Sequence, residues 1–108
     1  MHAQTPKKPR KKSRNTDKLA KIEWDIIDSL KEDLQQPNLS TADKVRLSNA
    51  IAYHASNLNK MQSEKGEKPP FNETTLGDYV KSIKGAANMV RIIRRDFRRW
   101  TKKLSSKK

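Results

Sequence analysis

The sequence predicts an all-α protein: an antiparallel helical hairpin with a long basic third helix packed across it, a three-helix bundle behind a disordered basic arm. Three observations lead there. From Thr74 to Leu104, Leu76, Ile83, Val90, Phe97 and Leu104 recur every seven residues, and Tyr79, Ala86, Ile93 and Trp100 follow the first four by three. An a/d pattern held for about four repeats belongs to a helix packed along its length on other helices. Upstream, two further stretches carry apolar residues at three- and four-residue spacings, the stripe of an amphipathic helix. Between them lie a short connection at Pro37 and a longer one marked by Gly66, Pro69 and Pro70, which separate the elements.

Residues 1–15 hold Pro6, Pro9 and the basic residues Lys7, Lys8, Arg10, Lys11, Lys12 and Arg14, with almost nothing apolar. Such a segment buries too little to offset the entropy of ordering, so it reads as a disordered basic arm. The first helix is expected over 16–36, capped by Thr16 or Asp17 and ended by Pro37. Its apolar stripe is Leu19, Ile22, Ile26, Ile27, Leu30 and Leu34, with Trp24 at the flank. Glu23, Asp25, Asp28, Glu32 and Asp33 make the remaining surface acidic, a face for solvent or for the basic helix.

Pro37-Asn38-Leu39 is short enough to fold the next helix back antiparallel. That helix is expected over 40–65, with Ser40 as N-cap and Asp43 completing an approximate capping box. Its stripe of Leu47, Ile51, Ala55 and Leu58 is lined by Ala50 and Ala52, small enough to let a partner helix approach closely. In the loop 62–73, Phe71 is the large apolar residue that anchors the crossing to the bundle. The third helix is expected over 74–104, capped by Thr74 or Thr75, with Gly77 and Gly85 as internal costs of about 1 kcal/mol each and Gly85 as a point of close contact or bending. Residues 105–108 form a frayed basic tail.

Charge narrows the function. Lys and Arg number 25 against 12 Asp and Glu, a net charge of +13 with pI near 10.2, which points to polyanionic partners. No cysteine is present, excluding disulfides and thiolate metal sites, and His54 has no second ligand at helical spacing. With no nucleophile, acid/base pair or metal constellation, the chain reads as non-enzymatic, with no cofactor, metal or small-molecule substrate. No apolar run approaches a bilayer span, so it reads as soluble and intracellular, cytoplasmic or at the nucleoid or nucleus, with a membrane partner disfavoured. Hydrophobic content of 32% leaves a thin core that a homo-oligomer or another partner would complete.

The segment VRIIRRDFRRWTKKL has the composition of a helix that lays guanidinium groups against phosphates. Arg91, Arg94, Arg95, Arg98, Arg99, Lys102 and Lys103 are the expected nucleic-acid-binding residues, supplemented by Lys7, Lys8, Arg10, Lys11, Lys12 and Arg14 of the arm. Phe97 and Trp100 occupy seam positions and are assigned to packing rather than base stacking. DNA is favoured over RNA as partner. The alternative is a scaffold or assembly protein whose long helix mediates protein association.

The hairpin itself, LSTADKVRLSNAIAYHASNLNKM following an acidic amphipathic helix, resembles over about residues 16–63 the helical hairpins of phage-type small terminase subunits. That resemblance implies a DNA-recognising protein that assembles into rings. It carries over no individual functional residue.

Overall fold

The computed structural model describes the backbone of residues 7–105 and the side chains of residues 18–104; residues 1–6 of the expected arm and 106–108 of the expected tail lie outside it. All regular structure among the described residues is helical: α1 (Lys7–Leu34), α2 (Thr41–Glu64), α3 (Glu73–Lys81) and α4 (Val90–Ser105), with a 3-10 turn at Ala87–Met89 leading into α4. The all-α expectation holds. The count differs, because the long third helix is two helices.

Helix α1 starts at Lys7 instead of near Thr16 and runs about 42 Å at 1.5 Å per residue. Pro9 falls in its first turn, where a missing backbone N–H removes no intrahelical bond, so the basic segment contains no internal helix breaker. The helix closes at Leu34, and Asn38 takes the left-handed conformation (φ 71°) that turns the chain into α2. Ser40 caps α2 as the sequence indicates, its side chain accepting from the Asp43 N–H at 3.0 Å. At the other end Gly66 (φ 81°) completes a Schellman motif, the Glu67 N–H donating to Gln62 O and the Gly66 N–H to Ser63 O, both at 2.9 Å.

α2 is the central helix, with α1 antiparallel on one flank and α4 on the other. Ile51, Ala52, Ala55 and Leu58 are fully buried between them. The inward side of α1 is Ala20, Ile27 and Leu34, not the whole expected stripe: Leu19 and Ile22 are 52% and 50% exposed. His54 Nδ1 of α2 donates to the Glu23 carboxylate Oε1 at 2.6 Å, which faces that carboxylate inward, and the helix is rolled accordingly. His54 is thus a structural residue that joins the hairpin. The acidic face of α1 does not meet the arginine helix.

The loop back to α3 is held where the sequence places its anchor. Phe71 is buried, with Trp24 of α1 and Tyr79 of α3 at ring centroid distances of 5.5 and 6.0 Å. Asn59 clamps its backbone from α2, donating to Phe71 O at 2.7 Å and accepting from the Phe71 N–H at 3.1 Å. The cap of α3 is Asn72 instead of Thr74 or Thr75. Asn72 accepts from the Thr75 N–H at 2.8 Å, and Thr75 Oγ1 accepts from the Asn72 N–H at 2.7 Å, a reciprocal capping box.

Between α3 and α4 the chain turns at Gly85 (φ 81°). The expected helix over 74–104 breaks here because Gly85 takes a conformation that L side chains enter at a cost of about 1–2 kcal/mol. α4 then runs antiparallel to α3 and parallel to α2. Gly77, not Gly85, is the point of close helix contact: a Cβ there would lie 3.1 Å from Arg94 Cδ and 3.3 Å from Val90 Cγ1. Most of the heptad seam nevertheless points into the core, with Leu76, Ile83, Ala86, Ile93 and Phe97 all buried. The break changes chain direction without exposing the apolar face.

Candidate nucleic-acid interface

α4 is held on two sides. Ile93 and Phe97 face the core, Ser56 Oγ and Thr101 Oγ1 share a hydrogen bond at 3.2 Å, and Tyr53 of α2 meets the Trp100 ring edge-on at 4.7 Å. Phe97 is 4% exposed, so it is a core residue as its seam position indicates. Trp100 is half-buried between Tyr53 and Lys103, whose ammonium lies 5.3 Å from its ring centre. Packing therefore occupies both aromatics, and the opposite side of the helix is left to the cations.

Arg91, Arg94, Arg95, Arg98, Arg99, Lys102 and Lys103 are all exposed. At 3.6 residues per turn, Arg91, Arg95, Arg98 and Lys102 project within about 60° of one another, with Arg94 at the edge of the same face. Arg99 and Lys103 turn toward the far flank. Arg91, Arg94, Arg95 and Arg98 also line an open groove of about 900 Å³, with Asn88 at its head. The expected arm residues Lys7, Lys8, Arg10, Lys11, Lys12 and Arg14 lie on the backbone of α1, and their side chains are outside the described residues.

The cations are not equivalent. Arg98 makes a bidentate pair with Glu73 of α3, Nε to Oε2 at 2.9 Å and Nη2 to Oε1 at 2.8 Å. That hydrogen bonding holds the Glu73 carboxyl below its ordinary range, against a smaller opposing effect of desolvation, and raises the Arg98 guanidinium. Arg98 thus has a carboxylate already seated in its fork. Arg95 lies 3.5 Å from the buried carboxylate of Asp96, and Arg94 rests its stem over Gly77. For Arg91, Arg99 and Lys102 no ion pair is formed among the described residues.

Sequence reasoning gave Glu73 no role and read Gly77 only as an internal helix cost. Both sit on α3 and matter only because the chain reverses at Gly85, which the unbroken heptad register conceals. Among the described residues no group of three or more His, Asp or Glu could hold a metal ion, and no helix is long and apolar enough to cross a membrane. In comparisons with known proteins, no family model, curated protein or solved structure matches this chain. The likeness to small terminase subunits consequently rests on the hairpin's Leu/Ala pattern alone.

Proposed function

We propose that this chain is a non-enzymatic nucleic-acid-binding protein that engages the phosphate backbone through the exposed face of α4, with DNA preferred to RNA. The observation that carries the reading is the single face of Arg91, Arg94, Arg95 and Lys102 on a helix whose other side is fixed in the core. A packed helix fixes the backbone from which its guanidinium groups project, so less conformational freedom is lost on binding than from a free peptide. Planar guanidinium forks match phosphate oxygens, and neutralising phosphates releases condensed counterions.

The preference for DNA follows from groove shape. A helix about 10–12 Å across enters a B-form major groove about 12 Å wide, whereas the A-form major groove is too narrow and deep for it. Asn88, at the head of the groove beside Arg91, adds an amide that is chemically suited to an adenine edge. The basic first turns of α1 supply further charge for long-range attraction.

Charge reversal tests the proposal. Arg91, Arg94, Arg95 and Lys102 are each changed to Glu, leaving Arg98 on Glu73, and duplex binding is followed by fluorescence anisotropy at low salt. Affinity is expected to fall by at least about a hundredfold, roughly 2.7 kcal/mol, with the helical circular dichroism signal retained. An unchanged affinity with the fold intact contradicts the assignment.

A further inference from the structure

We propose that the exposed flank of α1 is a homodimer interface, on which two copies of the chain pair their α1 helices antiparallel about a two-fold axis near Ile22. Leu19, Ile22 and Ile26 fall at i, i+3 and i+7 along one flank of α1, beside the buried line of Ala20, Ile27 and Leu34, with Leu19 and Ile22 exposed and Ile26 half-buried. Leu19 and Ile22 are about half exposed, and none of the described residues covers that exposed half. A single exposed leucine is ordinary; two exposed apolar residues aligned with a half-buried third along one flank of the longest described helix form a short seam.

Charge identifies the occupant as a second copy. On one side of the seam, the stretch from Lys7 to Arg14 carries Lys7, Lys8, Arg10, Lys11, Lys12 and Arg14 and no acid. On the other, Asp25, Asp28, Glu32 and Asp33 are interrupted only by Lys31, which lies over the Tyr79 ring at 5.6 Å. These acids are not spent on the arginine helix, because α1 and α4 occupy opposite flanks of α2. Antiparallel pairing sets the basic end of each α1 beside the acidic end of the other and Leu19 of one copy beside Ile26 of its mate. Parallel pairing places like charge on like charge. An isologous contact of this kind satisfies both ends at once and closes at two chains.

The seam is short and its flanking charges are solvated, so association is weak and falls with salt. The inference does not rest on phosphate binding by α4. Sedimentation of the full chain over a concentration series, at about 50 mM and about 500 mM salt, is expected to give a monomer–dimer equilibrium that weakens in the higher salt. Leu19→Glu with Ile22→Glu is expected to raise the dimer Kd at least about tenfold without loss of helicity, as is Glu32→Lys with Asp33→Lys. The chain has no cysteine, so single substitutions report geometry directly. Ile22→Cys should oxidise to a disulfide-linked dimer and Ser29→Cys should not.

Three results overturn the proposal. One is a wild-type chain that stays monomeric throughout, including one whose binding to anionic phospholipid vesicles depends on Leu19 and Ile22. The second is a Leu19→Glu, Ile22→Glu variant that dimerises like wild type. The third is a Ser29→Cys chain that cross-links as readily as Ile22→Cys, which marks a parallel pair.

Discussion

Gly85 and Tyr79 show how single residues set this fold. Gly85 has a φ of 81° and open space where a Cβ would stand, so a substitution there meets backbone strain and no steric clash. Gly85→Ala is expected to lower stability by about 1–2 kcal/mol in urea unfolding, although alanine is the better helix former by about 1 kcal/mol. Tyr79 places its hydroxyl in the interior with no hydrogen-bond partner among the described residues. Burial, with a smaller contribution from Asp28, pushes the phenol up to about 12 from an ordinary value of 10.0. A raised folded-state value means that the unfolded chain ionises first, so this contribution is complete below pH 10 and is lost as pH climbs toward 12. Tyr79→Phe should unfold later than wild type at neutral pH by about 1 kcal/mol, since it removes a buried hydroxyl without a partner. The gap should widen between pH 10 and 12, and equal pH slopes for the two chains contradict this account.

Among the elements, α3 governs both the packing of α4 and the availability of its charges. Gly77 admits Arg94 and Val90 to close contact, and Glu73 occupies Arg98. The Glu73 carboxyl is depressed in the fold, so its stabilisation is present above its ordinary value of 4.5 and fades as pH falls through the lower folded-state value. Glu73→Gln should therefore be less stable than wild type at neutral pH, with the difference closing in acid. The same substitution releases Arg98 and removes a negative charge, so duplex affinity should rise several-fold. Unchanged affinity would show that Arg98 already leaves Glu73 for phosphate without penalty.

Much at this level was legible from the chain alone because the signals are local. Ser40 as cap, the antiparallel hairpin and Phe71 as anchor each rest on residues within a few positions of the feature. The break between α3 and α4 was not legible, since Ile83 and Ala86 keep the heptad register through the turn and both end in the core. A seam records which residues are buried, not whether the backbone between them stays helical. Likewise the roll of α1 depends on the Glu23–His54 bond across 31 residues, so an apolar stripe at helical spacing gave no sign that Leu19 and Ile22 face outward.

As a whole the molecule separates its two proposed binding surfaces by flank. α2 carries the core, α4 presents the arginines on one side, and α1 turns a short apolar seam and its opposed charged ends to the other. The candidate interface was legible as a set of residues but not as a ranked one. Composition names every arginine alike, whereas packing distinguishes Arg98, committed to Glu73, from Arg91 and Lys102 on the open face.

The central claim, that phosphate neutralisation by α4 drives binding, is tested most directly by the salt dependence of affinity for one DNA duplex. With about ten phosphates engaged by α4 and the basic start of α1 together, log K should fall with log salt at a slope of about −9, and changing Arg91 and Lys102 to Gln should flatten it by about 1.8. A slope near zero, or one that the two substitutions leave unchanged, contradicts the account.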